Sequence, residues 1–255
     1  MHKKTLATAA AVVFSATLFA QSKPEETEVW EPVPTVVTPG KVNTDAPSDA
    51  IILFDGKNLD QWASVNDPSQ PAKWKVSGGI FTVDKSTGNI QTKRSFNNYQ
   101  LHIEWRIPGN ITGTGQGRGN SGLFLASTGA GDDGYELQIL DNYNNKTYVN
   151  GQAASVYKQT PPLVNANKKP GEWQVYDVIW TAPKFNADGS LQSPARVTAF
   201  FNGVLVQNNT ELLGPTQYIG KPSYKKAHGA SPIKLQAHGD KSEPISFRNI
   251  WIREL

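Results

Sequence analysis

The chain has 255 residues, 38% of them hydrophobic, and it contains no cysteine. The lack of cysteine excludes disulfide bonds, thiolate-ligated zinc, iron–sulfur clusters and cysteine nucleophiles. The 25 Lys and Arg residues exceed the 22 Asp and Glu residues by only three. Since no Lys/Arg-rich run occurs, nucleic acid is not an expected partner.

The first twenty residues have the pattern of a secretory signal peptide. Lys3 and Lys4 precede an uncharged apolar run over residues 7–19, and Ala20 is a small residue at the expected cleavage point. This run is too short to span a bilayer and no other run is longer, so no transmembrane segment is predicted. Removing residues 1–20 leaves 23 basic and 22 acidic residues. The expected location is therefore the periplasm or the extracellular medium, without a lipid anchor because no Cys lies near the cleavage point.

Residues 21–48 contain five prolines and few large apolar side chains. Such a segment cannot bury enough surface to offset the entropy of ordering it, so an extended Pro-rich tether is predicted. Residues 49–255 are long enough for one core and are predicted to form a single domain.

From residue 51 onward apolar and polar residues alternate with period two, which is typical of half-buried strands. No segment shows a sustained helical period, and Asn202-Gly203 between two apolar runs predicts a hairpin. Many short strands separated by turn residues favour an all-β sandwich or jelly roll. The predicted strands are 51–54, 74–83, 99–107, 122–126, 135–140, 173–181, 196–201, 204–207, 233–236 and 245–252.

Three strand-like runs carry polar residues two positions apart, which places each pair on one strand face. If these faces converge, carboxylates, amides, an imidazole and a guanidinium share one surface that suits a hydroxyl-rich ligand. A solvated sheet face explains any single pair equally well. The pairs are Glu104 with Arg106, Glu136 with Gln138 followed by Asp141, and Gln236 with His238.

Aromatic side chains in or near predicted loops are candidates for stacking on sugar rings. Those on strands between polar neighbours are predicted to lie in the core. The loop candidates are Trp62, Trp74, Tyr143 and Tyr157, and the core candidates are Trp105, Trp173 and Trp251.

Several motifs for other chemistry are absent or out of context. Residues 117–122 (GRGNSG) match the dinucleotide fingerprint by letters, but a Gly-rich loop precedes them and a strand-like run follows, so a flap or a close backbone approach to a ligand is predicted instead. No H-E-x-x-H or G-x-S-x-G motif occurs. No cofactor is predicted, while calcium binding by Asp132, Asp133 and Asp141 stays an alternative to solvated loop acids.

A series of motifs in order resembles the bacterial 3-keto-disaccharide hydrolase domain family. The resemblance covers residues 50–255. The matching segments are 52–62 (ILFDGKNLDQW), 104–106 (EWR), 119–122 (GNSG), 135–141 (YELQILD), 150–157 (NGQAASVY), 171–173 (GEW), 202–203 (NG), 235–239 (LQAHG) and 247–250 (FRNI).

The resemblance implies a concanavalin-like jelly roll of two antiparallel sheets that cleaves glycosides already oxidised to a ketone at carbon 3. Such a ketone acidifies the proton on carbon 2, so base-catalysed elimination of the carbon 1 substituent followed by addition of water gives net hydrolysis. Glu136 or Asp141 is the expected base and His238 the expected acid. One departure is Ala237, where family members commonly have Asp.

Substrate-binding roles are expected for the other polar residues. Arg106, Asn120 and Gln138 would hold the enolate oxygen and hydroxyl groups, with Glu104 orienting Arg106. Tyr157 and Gln236 complete the expected sugar site. Two other functions stay open, a conventional glycosidase with two carboxylates and a non-catalytic carbohydrate-binding module.

Overall fold

A computed structural model describes residues 23–255. The predicted signal peptide therefore lies outside the described residues. Residues 37–255 form one compact unit, and the described part of the preceding unit, residues 23–36, holds a short 3-10 helix, η1 (Pro24–Thr27). Within the described residues no helix combines the length and the apolar character needed to cross a membrane.

Fifteen strands and two further 3-10 helices, η2 (Gly115–Gly117) and η3 (Val149–Gly151), make up the compact unit. Most strands are short, as expected where Gly, Pro and Asn recur between apolar runs. The strands are β1 (Ile51–Phe54), β2 (Trp62–Ser64), β3 (Lys75–Ser77), β4 (Ile80–Thr82), β5 (Ile90–Thr92), β6 (Tyr99–Arg106), β7 (Ser121–Ser127), β8 (Gly134–Ile139), β9 (Trp173–Thr181), β10 (Lys184–Phe185), β11 (Leu191–Ser193), β12 (Arg196–Phe201), β13 (Val204–Glu211), β14 (Lys234–Leu235) and β15 (Ser246–Glu254).

The strands form an antiparallel two-sheet sandwich of the jelly-roll kind. The larger sheet has the order β13-β12-β9-β6-β15-β4-β3, with β1 also paired to β15, and the smaller has the order β2-β5-β14-β7-β8. Strands β10 and β11 make a separate hairpin. The all-β prediction is confirmed.

The core lies between the two sheets and contains alternate residues of their central strands. Leu101, Ile103 and Trp105 of β6 and Leu123 and Leu125 of β7 belong to it. Two buried tyrosines also join the sheets directly by hydrogen bonds. Tyr99 Oη donates to Leu125 O over 2.6 Å, and Tyr176 Oη donates to Gln138 O over 2.7 Å. These contacts hold β7 and β8 in a fixed position above the larger sheet.

Turn chemistry explains where the strand predictions succeed and fail. The Asn202-Gly203 hairpin is confirmed, because both residues have positive φ, 53° and 80°, as a tight primed turn requires. The single strand predicted over residues 74–83 is wrong. Gly78 and Gly79, with φ of 59° and 78°, turn the chain between β3 and β4 and make a hairpin of it.

Two other sequence-based expectations are corrected. Trp62 and Trp74 do not form a binding rim, since both belong to the core, and their indole nitrogens donate to Leu53 O and Gly88 O. Residues 37–48, predicted as part of the extended tether, belong to the compact unit. In that segment Thr44 O accepts hydrogen bonds from Trp251 Nε1 and Asn249 Nδ2 at 3.0 and 2.9 Å.

Candidate active site

The candidate site lies on the face of the smaller sheet that points away from the core. Leu137 and Ile139 of β8 face the core, so Glu136 and Gln138 face the other way. Gln236 follows β14, two strands away in the sheet order, with β7 between them. An outer sheet face is usually solvated, but this one is shielded from solvent. All three polar side chains are buried, which requires covering loops and a ligand or internal partners to satisfy them.

The loops that cover this face leave a pocket with a cavity volume of about 140 Å³. At roughly 10–15 Å³ for each water-sized group, this volume suits one hexose ring with its hydroxyls. The lining residues are Asn120, Asp132, Glu136, Gln138, Tyr157, Thr216, Tyr218, Gln236 and His238. Six of the nine predicted site residues are thus brought together: Asn120, Glu136, Gln138, Tyr157, Gln236 and His238.

Glu136 is the buried acid of the pocket. Its side chain packs against Gly122 on β7, where a Cβ atom would come within 2.6 Å of Glu136 Oε1. Only glycine at that position leaves room for the carboxyl group. Burial raises the pKa of Glu136 well above its usual value, Asp132 raises it further, and Lys234 lowers it by less. Burial therefore favours the protonated form of Glu136, which is the form that can donate a proton.

His238 is the imidazole of the pocket, and its side chain is 35% exposed. Nδ1 lies 2.9 Å from Asp240 Oδ2, and Nε2 lies 3.4 Å from Asn120 Nδ2. The backbone N–H of Asp240 also lies 3.2 Å from Nδ1. The contact with the carboxylate is the shorter one, and an ionised carboxylate can only accept, so we assign the proton to Nδ1, which donates to Asp240 Oδ2. The other nitrogen, Nε2, then presents a lone pair on the pocket side, which is the form of histidine that can act as a base.

Asp240 is a site residue that the sequence reasoning missed. Its side chain is only 3% exposed, and its Oδ1 accepts from Lys85 Nζ at 3.1 Å, from Ser242 N at 2.8 Å and from the Ser242 hydroxyl. Burial raises its pKa, but the hydrogen bonds from His238, Ser242 and Lys85 lower it by more, so the net pKa is well below the usual value. Asp240 stays ionised and orients the imidazole. The His-x-Asp spacing of residues 238 and 240 was the available signal.

Gln116 on η2 ties the Gly-rich loop to the amides of the pocket. Its Oε1 accepts from Gln138 Nε2 at 3.1 Å, and its backbone oxygen accepts from Asn120 Nδ2 at 2.8 Å. Its own Nε2 donates to Thr147 Oγ1 and Gly151 O at 2.9 and 2.8 Å. Gln116 therefore fixes which way the two amides point, and it too was missed from the sequence.

Gln236 and Tyr157 keep hydrogen-bonding capacity free. Gln236 Oε1 is buried and has no partner among the described residues, although its backbone is held by Gly122 O at 3.0 Å and by the Ser121 hydroxyl. Tyr157 Oη shares a 2.5 Å hydrogen bond with Tyr148 Oη, and burial raises the pKa of Tyr157 well above its usual value. A neutral phenol and a free amide are suitable partners for sugar hydroxyls.

Glu104 and Arg106 are not part of this pocket, and the expectation that their strand joins the other two is wrong. They lie on β6, which belongs to the larger sheet. Glu104 does not orient Arg106. It accepts from Arg248 Nε at 2.6 Å and from Asn249 Nδ2 at 2.9 Å, whereas the Arg106 guanidinium lies 4.6 Å from the centre of the Trp173 ring.

Glu104 takes part in a buried polar cluster on the larger sheet. His102 Nδ1 lies 2.6 Å from Asp177 Oδ1, and its Nε2 lies 3.6 Å from Glu104 Oε1. Burial raises the pKa of Glu104, but hydrogen bonds from His102, Asn249 and Arg248 lower it by more, to about 2. The two carboxylates therefore favour the charged form of the imidazole, and the cluster joins β6, β9 and β15.

Asp141 also lies outside the pocket lining. Its Oδ2 forms an ion pair with Arg118 Nε at 2.7 Å, and its Oδ1 accepts from Tyr143 N at 3.0 Å. Its backbone oxygen accepts from Asn145 Nδ2 at 2.6 Å. Burial raises its pKa in spite of Arg118. Asp141 joins the end of β8 to the Gly-rich loop.

A buried ammonium group supports the loop that carries Asp132. Lys234 Nζ donates to Gly129 O, Gly131 O and Asp133 O at 3.1, 2.9 and 2.8 Å, and it lies 5.0 Å from the centre of the Phe124 ring. Burial lowers the pKa of Lys234 to about 8, and the nearby acids raise it by less. Three convergent carbonyl oxygens of the kind that bind a hard cation are thus occupied by the protein's own cation.

Asn89 connects that loop to the histidine segment. Its Nδ2 donates to Gly131 O and to Asp132 Oδ1, both at 2.9 Å, and its Oδ1 accepts from Ala237 N at 2.7 Å. Across residues 23–255 no group of three or more His, Asp or Glu side chains is arranged to hold a metal ion.

The fold and this pocket define a carbohydrate-active β-sandwich domain. Within that class, the chain belongs to the 3-keto-alpha-glucoside-1,2-lyase-like domain family, whose model matches residues 49–253.

Solved structures agree with this membership. A proposed glycosyl hydrolase from Parabacteroides distasonis ATCC 8503 is 56% identical, with a TM-score of 0.85 over 93% of this chain and 98% of that one. Two further proposed glycosyl hydrolases from the same strain share the fold at 22% and 20% identity, with TM-scores of 0.56 and 0.55. Both alignments cover 81% of this chain. They cover 99% of the first of these two proteins and 94% of the second. No curated protein matches the chain.

Proposed function

We propose that this protein cleaves glycosides that carry a ketone at carbon 3, by elimination across carbons 1 and 2 followed by addition of water. The observation that carries the proposal is the pairing, in one sugar-sized pocket, of a buried carboxyl group, Glu136, whose pKa burial raises, with the imidazole of His238, which Asp240 orients. Family membership supports the choice of a 3-keto substrate.

The proposed roles reverse the sequence-based expectation. Glu136 was expected to be the base, but burial favours its protonated form, so we assign it the role of the acid. His238, held by Asp240 in the tautomer with Nε2 unprotonated, serves as the base instead of the acid. Asp141, paired with Arg118 outside the pocket lining, has neither role.

In the proposed reaction His238 Nε2 removes the proton from carbon 2, and the electron pair moves to give an enolate on the carbon 3 oxygen. The enolate then forms the double bond between carbons 1 and 2 as the carbon 1–oxygen bond breaks. Glu136 gives its proton to the departing oxygen. Water then gives a proton to the Glu136 carboxylate and adds its oxygen to carbon 1, while the protonated His238 returns a proton to carbon 2. This addition removes the double bond between carbons 1 and 2, returns both side chains to their starting protonation states and completes a net hydrolysis. The Asn120, Gln138 and Gln236 amides and the Tyr157 hydroxyl lie where they can hold the enolate oxygen and the ring hydroxyls.

The test compares a 3-keto disaccharide with its unoxidised parent, with products followed by mass spectrometry in heavy water. Elimination and readdition places deuterium at carbon 2 of the product, whereas a conventional glycosidase leaves that proton in place. The released 3-keto sugar incubated without enzyme corrects for spontaneous exchange. Cleavage of the unoxidised parent at a comparable rate, or product without enzyme-dependent deuterium, would contradict the proposal.

Variants identify the residues. Glu136→Gln and His238→Ala should each lower kcat by about 10²- to 10⁴-fold, the usual contribution of a general acid or base. Glu172→Gln, an exposed acid outside the pocket, is the matched control. Far-ultraviolet circular dichroism checks that each variant folds. Sugar binding without turnover of any 3-keto substrate would instead favour a carbohydrate-binding module.

We further propose that the protein is exported, on the basis of the signal-peptide pattern of residues 1–20. Fractionation of the producing cell, with the mature N-terminus read by mass spectrometry, tests this.

A further inference from the structure

A second cavity adjoins the active-site pocket at the start of β8. Its volume is about 320 Å³, more than twice the 140 Å³ of the pocket, and Thr216 lines both. Gly134 lines the second cavity and Glu136 lines the pocket, two residues or about 7 Å farther along the same strand.

Thr216 is held rigidly between the two cavities. Its backbone N–H donates to Gly134 O at 2.7 Å, and its hydroxyl oxygen accepts from Glu136 N at 3.0 Å. The loop that contains it is therefore fastened to β8 at both cavities. A group leaving the sugar next to Glu136 has the second cavity as its neighbouring space.

The charge of the residues that line the second cavity indicates the charge of its ligand. Lys225 and Lys226 line it, and neither ammonium group lies within 4.0 Å of a carboxylate among residues 23–255. Asp133 also lines it, but the field of this acid is offset by Lys234, whose buried ammonium interacts with it. Two cations are thus left without a partner.

The remaining wall is rigid. His228 Nδ1 lies 3.0 Å from Gly229 O, and its Nε2 lies 2.8 Å from Tyr135 Oη. The ring also lies 5.5 Å from the Phe185 ring, centre to centre. These contacts hold the imidazole in place, so His228 shapes the cavity.

We propose that this second cavity binds the leaving group and that it selects leaving groups bearing an anionic group, a carboxylate, phosphate or sulfate, through Lys225 and Lys226. The inference rests on the proposed function, because it takes the bond broken in the pocket to be the one at carbon 1. It assigns substrate class by charge, which the family description does not specify.

Two substrates of equal size separate charge from shape: the 3-keto-glucosides of 4-hydroxybenzoate and of 4-hydroxybenzamide. The double variant Lys225→Gln/Lys226→Gln should raise KM for the carboxylate substrate by about three- to tenfold, as expected for two exposed charge pairs, and leave KM for the amide substrate and both kcat values unchanged. The control Lys184→Gln/Lys221→Gln removes the same charge from positions that line neither cavity. It should change neither KM.

Direct binding gives a measurement that does not depend on turnover. Free 4-hydroxybenzoate, titrated by calorimetry, should bind the wild type more tightly than it binds the Lys225/Lys226 variant, and 4-hydroxybenzamide should not distinguish the two proteins. If neither 3-keto substrate is cleaved while this binding difference holds, the proposed function fails and the anion site survives. If both substrates are cleaved with KM values that the double variant leaves unchanged or raises equally, the anion site is refuted and the proposed function stands.

Discussion

The hydrogen bond between Asp240 and His238 predicts that replacing Asp240 by Asn slows catalysis. Asp240→Asn keeps the shape of the side chain but replaces an acceptor-only carboxylate with an amide that can donate to Nδ1. If the amide donates, the proton of the imidazole moves to Nε2, and the lone pair needed to take the carbon 2 proton is lost. We expect kcat on a 3-keto disaccharide to fall by about 10²- to 10⁴-fold.

The stability cost of this change is predicted to be smaller than its effect on rate. Asp240 accepts from Ser242 N, the Ser242 hydroxyl and Lys85 as well as from His238. Asparagine keeps an acceptor oxygen at the Oδ1 position, so the bonds from Ser242 and Lys85 can persist. The bond that is lost is the one with His238, at a cost on the order of 1.5–3 kcal/mol. Since domains are stable by about 5–15 kcal/mol, most of the Asp240→Asn protein should stay folded at 25 °C, and unfolding cannot explain a hundredfold loss of kcat.

The assay is steady-state cleavage as a function of pH, with urea unfolding measured on the same samples. A lost base changes the acidic limb of the kcat profile, whereas a purely structural defect scales all rates equally. Asp55→Asn, which removes an exposed partner of Lys57, is the matched control. Asp240→Glu should restore part of the rate because it restores an acceptor. An Asp240→Asn enzyme with wild-type kcat and pH profile would refute the reasoning.

Two further predictions concern packing and pH. Gly122→Ala places a methyl group 2.6 Å from Glu136 Oε1, so it should displace the acid and lower kcat at least tenfold. Gly229→Ala, at an exposed position where the added methyl group meets nothing within 4 Å, should not lower kcat. Unchanged kcat in Gly122→Ala would contradict the close packing. Burial lowers the pKa of His102, but hydrogen bonds to Asp177 and Glu104 raise it by more, so its folded pKa lies above 6.5. Its stabilisation should be complete below pH 6.5 and be lost as pH rises through the folded pKa. Urea unfolding from about pH 5 to 9 should show this loss in the wild type and not in His102→Gln, and parallel profiles would contradict it.

The alternation of side chains along a strand predicted correctly which polar residues share a face. It could not predict which of the two sheets each strand joins. It placed Glu136 with Gln138 and Gln236 with His238 on one face, because alternation within a strand is set by the backbone alone. Parity does not say which sheet a strand joins. Glu104 and Arg106 obey the same alternation on β6, yet β6 pairs with β9 and β15 in the other sheet.

The site residues that the sequence reasoning missed lie outside the strands. Asp240, Gln116 and Thr216 reach the site along paths that depend on tertiary contacts, such as the Lys85–Asp240 pair between residues 155 positions apart. Trp62 and Trp74 were misplaced for a related reason. Trp62 begins β2 and Trp74 precedes β3, strands of only three residues that are too short to show a period, and both side chains pack into the core instead of the rim.

The position of Lys234 beneath the loop of residues 129–133 has a consequence for how the pocket wall responds to its surroundings. A loop shaped by a dissociable ion changes with the ionic composition of its surroundings, by mass action. Here the positive charge is covalently attached to β14, so its effective local concentration does not fall on dilution. The wall of the pocket that carries Asp132 is thus expected to keep its form in fresh water and in brine alike, and to change as the pH rises through the pKa of Lys234, about 8.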